Sequence, residues 1–154
     1  MPKSDLSRLF KYVEYVESSG RPDAVSYAGA IGLMGIMPAT AAQPGMDTKP
    51  VRVSQLTDPD VNREFGESYL TGLHKRLKNP EHVIAAYNWG YGNVKKWVAK
   101  GAKFDELPDD TKHYIEGWRG HGKHKMPDNW QRYHERNQGK KVTATNELSN
   151  TVEP

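Results

Sequence analysis

Two short stretches of this chain hold residue types that can do chemistry. The first is YVESSG, in which Glu17 closes an apolar stripe of Leu6, Leu9, Phe10, Val13 and Val16 at helical spacing. At about 100° per residue Glu17 falls in the middle of that stripe, while Glu14 falls near its edge. Two effects are expected to raise the pKa of Glu17: the negative end of the helix dipole, and partial burial among Phe10, Val13 and Val16. A glutamic acid that keeps its proton near neutral pH can protonate a glycosidic oxygen. On the first helix alone, a solvated carboxylate at a frayed end is the commoner arrangement.

The second stretch is Ala85-Ala86-Tyr87-Asn88-Trp89-Gly90-Tyr91-Gly92-Asn93. Its rings can lie flat against sugar faces, and its glycines let backbone approach a ligand. Taken alone, a glycine helix stop with aromatics packed in the core is the commoner arrangement. Gly32-Leu33-Met34-Gly35-Ile36-Met37-Pro38 can form a cleft wall of close backbone and Met side chains, or ordinary small-residue packing. His121 and His124 have neither cysteine nor an acidic partner at site-like spacing, so a solvated basic loop is expected there and no metal. The chain has no G-x-S-x-G elbow and no phosphate-binding glycine loop, which weakens serine hydrolase and nucleotidase readings.

Helices must position these groups. Residues 4–18 read as the first, with Ser4 or Asp5 as its cap. Residues 19–28 are turn-like, and Pro38 opens a short helix. Residues 43–57 are a loop. Asp58-Pro59 starts a long helix to about Leu77, buried through Val61, Phe65, Tyr69, Leu70, Leu73 and Leu77. Asn79-Pro80 repeats the signal for a helix to about Asn88, broken by Gly90 and Gly92. Val94 to Lys100 is a further helix, and Leu107-Pro108 opens one carrying Tyr114, Ile115 and Trp118. A last amphipathic piece follows Pro127-Asp128 with Trp130 and Tyr133, and residues 135–154 form a polar tail. No strand alternation is convincing, so the expected fold is mainly α, in one domain.

The 154 residues suffice for one core. A net charge of +3 and a pI of about 9.0 suit an anionic polymer, but no basic run with interleaved aromatics points to nucleic acid. No apolar run approaches the roughly 20 residues of a membrane span. The start has no apolar signal region, so no cleaved signal peptide is expected.

Five motifs fall in one order. Glu17-Ser18 with Pro22, Ala24 and Ser26 resembles the E-S-x-x-x-P-x-A-x-S opening of the soluble lytic transglycosylase family. Gly29 to Met34 and Met37 to Ala41 resemble its G-A-x-G-L-M-Q-x-M-P-x-T-A segment. Asp58-Pro59, Asn62, Gly66 and Tyr69-Leu70 resemble its D-P-x-x-N-x-x-x-G-x-x-Y-L helix. Ala86-Tyr87-Asn88 with Gly90, Gly92 and Val94 resembles A-Y-N-x-G-x-G-x-V, and Leu107-Pro108 with Thr111 and Tyr114 resembles the closing P-x-x-T-x-x-Y.

The resemblance covers about residues 9–116. It implies a mainly helical, lysozyme-like domain over 1–118, with residues 119–154 as an extension for docking or without order. It implies cleavage of the MurNAc-β-1,4-GlcNAc bond of peptidoglycan strands to a 1,6-anhydro product, without cofactor or metal. By the same resemblance Glu17 is the catalytic acid and base. Ser26, Tyr87 and Tyr114 match positions that orient groups near the acid, and Met34 and Asn88 match cleft positions that touch the sugar. Asp23 is the nearest candidate for a second carboxylate. Gly35 departs from the pattern, where the family usually has Gln, and an amide contact with the glycan is expected to be lost. Without an export signal, the expected setting is a phage virion acting on the host periplasm and wall during phage entry, with virion or secretion-complex proteins bound through residues 119–154. The alternative is a weakly active or inactive structural component that binds glycan or protein.

Overall fold

In a computed structural model of the protein the described residues are 3–120, with side chains from Leu6 onward. His121, His124, the piece with Trp130 and Tyr133, and the tail at 135–154 lie outside them. The described part is mainly helical: α1 (Lys3–Ser18), α2 (Pro38–Ala42), α3 (Pro59–Leu77), α4 (Pro80–Trp89), α5 (Tyr91–Ala99) and α6 (Asp109–Arg119). Two single-turn 3-10 helices, Val53–Gln55 and Phe104–Glu106, interrupt what reads as loop. No helix among the described residues is long and apolar enough to cross a membrane. The described residues form two compact units, 3–72 and 73–120, and α3 runs through both.

In the first unit α1 buries Leu9, Tyr12, Val13 and Val16. Ser4 and Asp5 lie inside α1 rather than capping it, because the helix begins at Lys3. Between α1 and α2 the backbone makes two antiparallel bridges, Val25 with Ile31 and Ile31 with Ile36. Single pairings of this kind leave no run of alternation, so the sequence shows none. α3 starts where its signal places it, with the Asp58 carboxylate accepting from the Asp60 and Val61 amides at 2.9 and 3.3 Å. Its buried face is shifted from the expected one: Asn62, Phe65, Gly66, Leu70, Leu73 and His74 are buried, while Val61, Tyr69 and Leu77 are half-buried. Gly72 admits no side chain, since a Cβ there would meet the backbone carbonyl oxygen of Met46.

In the second unit α4 packs against α5 and α6. The Asn79 side chain accepts from the Glu81 amide at 2.8 Å and Pro80 opens α4. Gly90, at φ 103°, ends α4 and starts α5 three residues earlier than expected. Gly92 sits inside the helix, so only Gly90 breaks the chain direction. Arg119 closes α6 over Phe104 and forks onto Glu81 at 2.7 and 2.9 Å.

The His82 ring meets Trp97 edge-on at 5.2 Å. Burial lowers the His82 pKa, with the charge of Glu81 opposing. A base whose pKa is depressed by folding binds its proton more readily when unfolded. The protein should therefore lose stability as pH falls through His82's ordinary range, about 6.5, toward its lower folded value. Urea midpoints at pH 7.5 and 5.5 check this; in His82→Phe the difference should shrink.

Candidate active site

Glu17 stands on the last turn of α1, and the way that helix stops sets its place. The buried Ser18 hydroxyl donates to the Glu14 carbonyl at 3.2 Å and accepts from the Gly20 amide at 3.1 Å. Ser19 then enters the left-handed region at φ 53° and ends the helix. Glu17 is half-buried. The other carboxylate on this part of α1, Glu14, accepts from Arg63 on α3 at 3.0 Å. Asp23 lies 3.9 Å from Arg21. The buried Tyr12 phenol is pushed well above its ordinary pKa, by burial first and then by the charges of Tyr15 and Glu17.

The turn after Gly29 forms the wall behind Glu17. Gly35, at φ 60°, approaches so closely that a Cβ on it would lie 2.6 Å from Glu17 Oε1 and 2.9 Å from Glu17 Cβ. Asn62 holds this wall from α3. Its Oδ1 accepts from the Met34 amide at 2.7 Å, and its Nδ2 donates to the Ile31 and Leu56 carbonyls, each at 2.8 Å. Donors and acceptors match at every contact, which fixes the orientation of the amide. Gly32 lies against that amide: a Cβ there would collide with Asn62 Nδ2. Met34 is 0 % exposed and packs over Gly66. The wall therefore presents Gly35 to Glu17 and turns Met34 into the core. In this structure Met34 offers no side-chain surface to a sugar. Ser26 is half-buried and closes its own turn: its hydroxyl accepts from the Ala30 amide at 2.9 Å, and its amide donates to the Ala30 carbonyl at 2.8 Å.

The other candidates belong to the second unit. Tyr87 is half-buried near the end of α4, and Tyr114 on α6 is fully buried. Asn88 is exposed, and its Oδ1 accepts from the Thr111 hydroxyl at 2.7 Å. Thr111 and Asn62 are the two side chains that residue-by-residue reasoning did not single out, although both stand in the quoted motifs. Thr111→Val keeps the shape and removes the donor, so it should cost roughly 0.5–1.5 kcal/mol of stability. Urea unfolding measures this, and an unchanged midpoint would show that the bond contributes nothing.

The sequence profile of the family described as Transglycosylase SLT domain matches residues 3–108. Membrane-bound lytic murein transglycosylase E of Buchnera aphidicola is 36% identical over 108 residues, covering 62% of this chain and 48% of that protein. Soluble lytic murein transglycosylase of Escherichia coli is 37% identical over 94 residues, covering 56% of this chain and 14% of that protein. The chain thus spans less than half the length of these relatives. Among solved structures, the 70 kDa soluble lytic transglycosylase of Escherichia coli superposes with a TM-score of 0.61 at 28% identity, covering 94% of this chain and 23% of that one. An inactive glutamate-to-glutamine mutant of lytic transglycosylase Slt from Pseudomonas aeruginosa superposes with a TM-score of 0.54 at 26% identity, over 94% and 21%. The fold is therefore mainly helical and lysozyme-like.

Proposed function

The chain belongs to the transglycosylase SLT domain family, and on that premise we propose that it is a peptidoglycan lytic transglycosylase with Glu17 as its acid and base. The observation that carries this reading is one carboxylate, half-buried at the stop of α1 and backed by the Gly35 turn, at the position that matches the family's E-S pair. Its relatives bear the name lytic murein transglycosylase, and the inactive Pseudomonas mutant differs by one glutamate changed to glutamine.

The chemistry balances on that group alone. Protonated Glu17 gives its proton to the oxygen between MurNAc and GlcNAc, and the bond from C1 to that oxygen breaks. The acetamido carbonyl of the same MurNAc supports the cationic C1 from within the substrate, which removes the need for a second carboxylate. Glu17, now a carboxylate, takes the proton from the C6 hydroxyl, and O6 closes onto C1. The product carries a 1,6-anhydro ring, no water is consumed, and Glu17 is protonated again. Tyr87, Asn88, Tyr114 and Ser26 orient the groups around this step in the same proposal, and Met34 supports the wall from beneath.

The proposed setting is a phage virion acting on the host wall during infection. What supports it is that the family profile ends at residue 108, before the basic, aromatic stretch 119–154 that would attach the domain to a carrier. Digestion of Gram-negative sacculi followed by mass spectrometry tests the activity. Release of 1,6-anhydromuropeptides is expected. Reducing-end products alone would make the protein a hydrolase, and binding without release would make it a non-cleaving wall component.

A further inference from the structure

We propose that Gly35 is a positioning residue that seats the Glu17 carboxyl group, and that its missing side chain is a requirement of this site rather than a lost glycan contact. The proposal rests on the reading of Glu17 as acid and base. Two features of Gly35 carry it. Its φ of 60° lies in the left-handed region, where a Cβ is disfavoured. Independently, a Cβ would stand 2.6 Å from Glu17 Oε1, 2.9 Å from Glu17 Cβ and 3.0 Å from Glu17 Cδ. Ordinary carbon contacts need about 3.5–4.0 Å, so something must yield by roughly an ångström.

The wall is poorly able to yield. Ile31 and Ile36 exchange both amide bonds at 2.9 Å, the Gly35 amide donates to Gly32 at 3.1 Å, and Asn62 grips the Met34 amide and the Ile31 carbonyl. The Glu17 Cβ is fixed to α1, one residue before the Ser18 stop. The collision therefore falls first on the carboxyl group of Glu17, whose Oε1 is the nearest atom to the added carbon. A displacement of about 1 Å at a reacting group is enough to cost about 100-fold in rate.

The molecule contains its own control. Gly45 has the same φ of 60°, and a Cβ there meets nothing within 4 Å. Gly45→Ala therefore introduces the backbone strain without the collision, and Gly35→Ala introduces both. The experiment compares wild type, Gly45→Ala, Gly35→Ala and Gly35→Gln by thermal unfolding, by kcat and KM for release of anhydromuropeptides, and by 13C NMR titration of the Glu17 carboxyl group. Gly45→Ala should keep the wild-type rate and titration curve. Gly35→Ala should lose roughly 10- to 100-fold in kcat with KM little changed, and its Glu17 titration should move. Gly35→Gln, which restores the family's usual residue, should be slower still. The proposal is overturned if Gly35→Gln matches or exceeds wild type, or if Gly35→Ala tracks Gly45→Ala in rate and titration. If wild type releases no anhydro product, the catalytic reading fails, and the titration alone decides the positioning. If Gly35→Ala does not fold, adding Glu17→Gly to the same chain removes the three atoms that stand nearest to the new methyl. Recovery of folding then upholds the contact, and no recovery overturns it.

Discussion

Glu17→Gln should abolish release of 1,6-anhydromuropeptides from sacculi while leaving the fold and wall binding intact. The substitution replaces one carboxyl oxygen by an amide nitrogen of nearly the same size, so the close approach of Gly35 and the stop at Ser18 stay as they are. What disappears is the ability to give a proton to the bridging oxygen and to take one from the C6 hydroxyl. A positioned acid or base contributes about 100- to 10,000-fold, and here one group serves in both halves of the reaction. The expected loss is therefore at least about 1,000-fold, or roughly 4 kcal/mol of barrier. Mass spectrometry of the digest measures the loss, pelleting with sacculi measures binding, and thermal unfolding reports the fold. Loss of the Glu17 charge should also let the Tyr12 phenol ionise at lower pH, since that charge is one of the causes holding it up. A Glu17→Gln protein that keeps a tenth or more of wild-type turnover, by an approximate assay, would remove Glu17 from the role of acid.

Much of the frame was legible because its signals are local. Asp58-Pro59 and Asn79-Pro80 each combine a side-chain acceptor with a proline that needs no amide partner, and α3 and α4 start at those prolines. Gly92 misled because a glycine inside a helix costs only about 1 kcal/mol, which the buried Val94 and Trp97 of α5 readily offset. The bridges around Ile31 were invisible because each is one residue long. The half-buried place of Glu17 could be read from its position in the stripe of α1. Its contact with Gly35 could not, because nothing in the seventeen intervening residues records which backbone will lie against a carboxylate. Met34 was matched by resemblance to a cleft position that touches the sugar; here it is fully buried, and its unbranched thioether fills the space over Gly66. Asn62 was within reach. It shares helical spacing with Phe65, Gly66, Leu70 and Leu73, and an amide on the apolar face of a helix has to satisfy its hydrogen bonds inside.

That same amide supports the second large effect. Asn62→Leu is nearly isosteric, is compatible with helix, and removes three hydrogen bonds at a fully buried position. It leaves the Met34 amide and the Leu56 carbonyl without the partner they have, and it takes one of two donors from the Ile31 carbonyl, which also accepts from Ile36 at 2.9 Å. Each buried group left unsatisfied costs about 1–3 kcal/mol, so a loss of roughly 3–5 kcal/mol is expected. Against a total stability of about 5–15 kcal/mol this is a large fraction. Asn62→Asp should do no better, because a carboxylate would face the Ile31 and Leu56 carbonyls with no proton to offer them. The consequence reaches Glu17. Asn62 ties the turn that carries Gly35 to α3, and a turn released from α3 no longer seats the carboxyl group. Two measurements separate the local from the global part. Urea unfolding gives the stability loss, and hydrogen exchange at the Met34 amide below the unfolding midpoint reports release of the turn. Protection of that amide should fall further than that of the α4 core amides of Ile84 and Ala85. A loss below about 1 kcal/mol with Met34 protection unchanged would mean that Ile31 and Ile36 hold the wall by themselves, and that the long helix is not what positions the acid.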